Sequence, residues 1–432
     1  MMHISELKIF FGYVLPSIFS FALAGIYAIV DGYFVGNSLG DLGLSVINIS
    51  YPIVAVMQAL GTGVGMGGAI YYSIFTAKKM NSMAYEFIAG SMWLLLAVSL
   101  VTTVGVLYGN KFLLELLGAE GKLLSLGMEY IEVIALGAFL QIVGIGLVPF
   151  IRNCGGSFFA MLTMVAGFAT NIILDYLFVW VWDWGVVGAA WATVIGQGVT
   201  FAVAFVYLLY KNLFTFKITW ENLNRVLFSI LKLGVAPFGL ALSPNVSLVF
   251  VNRFSMSYGG EEAVAIYACI AYVTCVVYLI LQGVGDGSQP LLSHYYGASN
   301  WKSLQKYKHM AYGFGLTLAL CGSILIYITK DSLGMVFGTS EFVNGEIGRI
   351  MPIFLLSVPF VAVLRITTAC FYATEKSFLA YILTFTEPLL LLLFMLILPP
   401  LFGGQIMIWW STVLARVFSA ILALALMKLY NE

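Results

Sequence analysis

The chain has 432 residues, of which 61% are hydrophobic and only 9% charged, with Lys+Arg and Asp+Glu balanced at 20 each. A soluble domain carries roughly 25% charged residues, so this composition cannot coat a water-facing globule, and lipid must be the solvent for most of the surface. Zero net charge leaves no basic field for nucleic acid, and the apolar content excludes intrinsic disorder.

A helix needs about 20 apolar residues to cross the hydrocarbon core. In chain order, twelve runs qualify, at about 9–35, 43–75, 88–109, 126–150, 158–181, 186–210, 226–256, 263–290, 307–329, 350–374, 378–401 and 405–429. They are continuously apolar rather than alternating, which excludes a β-barrel. The first run leads straight into the second, so it reads as a first span and not as a cleaved signal. It carries Pro16 at mid-span, where a helix hydrogen bond is lost and a kink, static or mobile, is favoured, and Asp31 near its outer end. The second run contains Gly61 to Gly68, whose small-xxx-small spacing predicts a close helix contact. The fifth run carries Asn171 and Asp175 four residues apart, hence on one face, and the sixth carries Thr193. On a rise of about 1.5 Å per residue, Asp31, Asp175 and Thr193 share a depth of roughly 6–11 Å below the outer surface. An ionisable group in the bilayer costs at least a few kcal/mol, so each needs a reason. From the residues alone, these carboxylates read equally as caps of helix ends and as an oxygen-rich cluster for a proton or a hard cation.

Further along, Asp286 falls near the inner end of the eighth run and is expected to reach the interface. Arg365 and Glu387 lie about ten positions either side of the turn at Glu375 to Ser377, so the tenth and eleventh spans are expected to bring them together. A buried structural ion pair is the plainer reading, and a substrate contact the sharper one. Tyr27 and Gln58 are candidates for lining an adaptable substrate cleft. The five cysteines are scattered in apolar stretches, with no metal-ligand spacing, and read as small buried hydrophobes.

Lys and Arg fall thirteen on one side of these spans and four on the other, which places both termini in the cytoplasm. The polar connection Tyr210 to Arg225 divides the chain into an N-terminal lobe, 1–212, and a C-terminal lobe, 213–432, of six spans each. The halves resemble each other. Pro16 precedes Asp31 by fifteen residues as Pro237 precedes Asn252, and Gly63-Val64-Gly65-Met66-Gly67 aligns with Gly283-Val284-Gly285-Asp286-Gly287. Six spans is an even number, so the two repeats are expected to run parallel about an axis along the membrane normal, the architecture of an alternating-access transporter.

The residues that carry a family likeness are Pro16 through Pro52 with Val30-Asp31 and Leu39-Gly40; Ile151-Arg152, Asn171 to Asp175 and Trp184 to Thr193; and Gly259-Gly260, Gly287 to Pro290 and Tyr296-Gly297-Ala298. On these the chain resembles the multidrug and toxic compound extrusion (MATE) family of secondary transporters, in the MOP flippase superfamily, over nearly its whole length. The resemblance implies an all-α polytopic membrane protein of twelve transmembrane helices in a V-shaped bundle. It also implies rocker-switch export of organic, cationic or amphipathic drug-like substrates in exchange for H+ or Na+. Asp31, Asn171, Asp175 and Thr193 stand where the family places a first-lobe coupling site, proton or Na+, with Pro16 as its bending point. The second-lobe carboxylate that some members carry eight residues after the proline of the seventh span is here Asn245. A monomer in a bacterial-type plasma membrane, needing no cofactor beyond its coupling ion, is the corresponding expectation. A lipid-linked oligosaccharide flippase is the alternative, although its pyrophosphate calls for a strongly cationic cleft. An enzyme is not expected, since there are three histidines, His3, His294 and His309, and no HExxH or GxSxG motif.

Overall fold

The computed structural model of the chain describes residues 4–333 and 341–431. Among the described residues every regular element is helical. Helices α1 (Ser5–Gly40), α2 (Leu42–Ala77) and α3 (Asn81–Leu116) lead into a bent α4, made of Gly121–Leu136 and Ala138–Asn153 at 53°. Next come α5 (Ser157–Val181) and α6 (Gly185–Tyr210). The stretch Trp220–Gly297 is continuously helical by hydrogen bonding for 78 residues, which would be ~117 Å if straight, about four hydrocarbon cores. Gly260 breaks it into α7 (220–259) and α8 (261–297). The chain ends with α9 (Trp301–Ser332), a bent α10 (Glu341–Leu355 and Val358–Ala373, 44°), α11 (Ser377–Phe402) and α12 (Ile406–Tyr430). These are the twelve spans expected from the apolar runs.

The duplication is visible in the backbone. Gly40 and Gly260 break their helices with nearly identical dihedrals, φ 64° and 66° with ψ −161° in both. That region is open in practice only to glycine. They lie 220 residues apart, as do the starts of α3 and α9 (Asn81, Trp301) and of α5 and α11 (Ser157, Ser377). The same interval separates two left-handed turn pairs, Lys79 with Ser299 and Gly155 with Glu375. The bends of α4 and α10 correspond as well. In α10 the second half begins with Pro359, which suits the first turn of a helix because it has no N–H to place there.

Packing divides the chain into one compact unit of Met1–Leu242 with Ser293–Trp301, and a second of Ser243–Leu292 with Lys302–Glu432. The lobe division at residue 212 follows connectivity, whereas these units follow contact. The N-terminal part of α7 belongs to the first unit because glycines admit it: a Cβ on Gly63 would lie 2.9 Å from the Gly234 carbonyl oxygen. Within the first unit α2 is central, with 78% of its most apolar window buried, while α11 in the second unit has 22% and turns most of its surface outward. Such outward faces are apolar, as at Leu100, Val101, Ile328 and Leu401, which only a lipid solvent tolerates.

Two expectations need correction. Asp286 does not reach the interface; it is buried, and accepts hydrogen bonds from Tyr372 Oη at 2.8 Å and Gln282 Nε2 at 2.9 Å. Those partners, on α10 and one turn earlier on α8, allow a carboxylate to stay inside. Among the free cysteines, Cys269 and Cys370 are buried but Cys275 and Cys321 are exposed, since lipid exacts no penalty from a small apolar side chain left outside.

Candidate functional site

The first unit assembles an oxygen cluster from α1, α5, α6 and α4. On α5 the positions Thr163, Gly167, Asn171 and Asp175 form one buried stripe at helical spacing, so the sequence of that helix turns both polar side chains inward. Directly after Asp175 the helix widens into a π-helical turn, Tyr176–Val181, a feature often found at functional sites. Asn171 Nδ2 donates to Thr193 Oγ1 of α6 at 3.4 Å. This approach is possible because glycine lines the facing surfaces: a Cβ on Gly167 would lie 2.9 Å from the Gly196 carbonyl oxygen. Asp31 of α1 meets Asp175 closely enough for their carboxyl groups to interact. All four residues expected to act together are therefore gathered in one place.

Two tyrosines complete the cluster. Tyr27, one turn before Asp31, and Tyr130, from the first half of α4, are buried within electrostatic reach of Thr193 and of both carboxyl groups. Tyr27 is also stacked on Phe168 of α5, with ring centroids 5.0 Å apart. It was expected to line a substrate cleft, and the structure puts it against the acids. Gln58 lies half-buried on α2 between the core residues Met57 and Ala59. Tyr130 was not anticipated. Its one sequence signal is its position near the outer start of the fourth span, at the depth of the other members.

The cluster is rich in unused acceptors. Asp31 Oδ1, Asn171 Oδ1 and both Asp175 oxygens are buried with no hydrogen-bond partner. Asp175 and Asn171 are 0% and 3% exposed. Buried polar atoms in native proteins are nearly always partnered, and two facing carboxylates in apolar surroundings are stable only with a proton or a cation between them. Carboxylate, carboxamide, hydroxyl and phenol oxygens form a donor set that suits a hard ion. Pro16 lies fifteen residues before Asp31 inside α1; the backbone stays helical through it, and Ser20 Oγ donates to the Pro16 carbonyl at 2.9 Å.

In the second unit Glu387 pairs with Arg416 of α12, Nε to Oε1 at 3.3 Å, and not with Arg365. Arg416 Nη1 also donates to Tyr278 Oη at 2.7 Å and Ser357 Oγ at 3.1 Å, and its guanidinium lies over the Tyr278 ring. Arg365 is 8% exposed, with its Nε buried and unpartnered. Equal distance from a turn fixes depth but not azimuth, and Glu387 is rotated towards α12.

An all-helical membrane protein of twelve spans, duplicated in its backbone and holding an ion-suited oxygen cluster in its first unit, has the build of a secondary transporter. A model of the MatE family matches residues 16–177 and 240–397, most of the chain, and the protein belongs to that family. Among curated proteins it is 25% identical over 421 residues to the multidrug export protein MepA of Staphylococcus saprophyticus, covering 96% of this chain and 92% of the relative. It is 26% identical over 421 residues to MepA of Staphylococcus aureus, covering 97% and 92%. Among solved structures it superimposes on a MOP superfamily transporter from Pyrococcus furiosus with a TM-score of 0.91, at 23% identity, over 98% of this chain and 96% of the other.

Proposed function

We propose that the protein is a secondary antiporter that exports organic, cationic or amphipathic drug-like molecules across a bacterial plasma membrane in exchange for a proton or a sodium ion. The multidrug export named for the MepA relatives supports the substrate class. The observation that carries the coupling assignment is the set of buried, unpartnered oxygens of Asp31, Asn171 and Asp175 beside Thr193. The coupling ion neutralises the facing carboxylates; its release leaves two like charges that push Asp31, and the outer part of α1, away from α5. Pro16 weakens α1 below that point, so bending there converts ion release into a movement that alternates access. The protein acts as a monomer with both termini in the cytoplasm, the side to which its Lys and Arg bias points, and takes no cofactor other than the coupling ion.

The test is transport by purified protein in liposomes, with pH and sodium gradients imposed separately. Asp31→Asn and Asp175→Asn should each abolish gradient-driven export while the protein remains folded in the membrane. Wild-type export rates in both variants would sink the assignment.

A further inference from the structure

Residues 220 apart are structural equivalents, as the matched breaks at Gly40 and Gly260 and the matched helix starts establish. The second unit contains a small cavity of about 10 Å³ lined by Ser247, Val251, Tyr267, Leu391, Thr412 and Ala415 together with Glu387 and Arg416. At that interval Ser247, Val251 and Leu391 correspond to Tyr27, Asp31 and Asn171, with Val251 one residue from the Asn252 that the proline spacing pairs with Asp31; Thr412 corresponds to Ala192, the neighbour of Thr193, Glu387 and Arg416 to Gly167 and Gly196, and Tyr267 and Ala415 to Ile47 and Ile195. The cavity therefore overlaps, in its repeat, the place that Tyr27, Asp31 and Asn171 hold in the other. We propose that Glu387 and this cavity form a second cation site, and that the Arg416 guanidinium is a tethered cation that fills it permanently.

Three features support this. In the first unit Gly167 and Gly196 let α5 and α6 approach closely, with Thr200 packed against Gly167 and Asn171 against Gly196; in the second unit an acid and a base stand at those two positions. The Arg416 guanidinium then finds the partners a bound cation needs: the Glu387 carboxylate at 3.3 Å, the Tyr278 and Ser357 hydroxyls at 2.7 and 3.1 Å, and the face of the Tyr278 ring at 4.7 Å. Finally, the cluster of the first unit has surplus acceptors, whereas Glu387 is already neutralised by a charge that cannot leave. A repeat that began with two ion sites thus retains one exchangeable site, which explains coupling in the first unit alone. The inference rests on the reading of the first-unit cluster as a cation site.

The test removes the tether and supplies the cation from solution. Purified full-length Arg416→Ala, and Arg416→Gln, which keeps side-chain hydrogen-bonding capacity at that position, are followed by thermal unfolding in detergent with millimolar guanidinium chloride; choline chloride controls for ionic strength. Both variants should unfold at lower temperature than wild type, and guanidinium should raise their midpoints saturably, as binding to the folded state requires. The wild type should show no such rise, and adding Glu387→Gln should abolish it in the variants. No saturable, Glu387-dependent rise in either variant overturns the proposal. So does failure of both to fold when guanidinium is present from extraction onward, because an ion site would be refilled. Transport is not read, so loss of the first-unit coupling assignment and loss of this one are separate results.

Discussion

Tyr130 shows what a single side chain contributes to the first-unit cluster. It is 5% exposed and comes from α4, an element that provides no carboxylate to the cluster, yet it lies within electrostatic reach of Thr193 and the Asp31 and Asp175 pair. A phenol there both orients Thr193 and offers another oxygen to a bound ion. Tyr130→Phe removes that oxygen and keeps the ring that fills the core, so folding should be nearly unaffected. One hydrogen bond is worth about 0.5–1.5 kcal/mol net, so the coupling-ion concentration that half-saturates transport should rise roughly two- to tenfold. An unchanged half-saturation would make Tyr130 a packing residue only. Depth along a span, the one coordinate a linear pattern supplies, selected Asp31, Asp175 and Thr193 well. Rotation about the helix axis was not available, which is why Tyr130 was missed and Glu387 was matched to Arg365 in place of Arg416.

For the helices, the decisive events are breaks. Gly40 and Gly260 adopt φ 64° and 66° with ψ −161°, where an L side chain collides with its own backbone even though no neighbour lies within 4 Å of either position. Gly40→Ala or Gly260→Ala should each cost about 1–3 kcal/mol, read as a lower thermal midpoint in detergent. Gly12→Ala, in the interior of α1 with equally open surroundings, should instead gain about 0.5–1 kcal/mol from helix propensity. Equal effects at all three positions would show that volume and not dihedral strain governs these sites. Leu39-Gly40 and Gly259-Gly260 are legible as motifs and the apolar runs 226–256 and 263–290 as two spans, but hydrogen bonding runs on between them, and the dihedrals place the break at Gly260.

At the level of the whole chain, the connection between the lobes is held to the first unit. Glu86 on α3 is buried and accepts hydrogen bonds from Thr219 Oγ1 at 2.9 Å and Asn222 Nδ2 at 2.7 Å, and Trp93 Nε1 donates to the Phe216 carbonyl at 3.2 Å. Hydrogen bonds to a charged group are worth about 1.5–3 kcal/mol each, so this clasp fixes the segment preceding α7. Glu86→Ala should release it, giving hydrogen exchange at residues 213–219 that is at least tenfold faster with little change in α5 or α6. Unchanged exchange would mean that the apolar packing of Phe214 and Phe216 holds the segment without the clasp.

Composition alone settled that the chain lives in lipid, because 9% charged residues cannot solvate a globule of this size. Run length settled the twelve spans, since a bilayer sets the length of any helix that crosses it. Spacing revealed the duplication and the first-unit acids, because depth and helix face both follow from counting residues. The tertiary structure decided which side chains meet across helices: Tyr130 joining the acids, Arg416 answering Glu387, and Asp286 kept inside by Tyr372 and Gln282. It also decided that the N-terminal part of α7 packs with the first unit. These outcomes depend on helix rotation and on close contacts at glycine, as at Gly63 with Gly234 and Gly167 with Gly196. Rotation and contact are properties of the packed bundle, and no periodicity within a single helix encodes them.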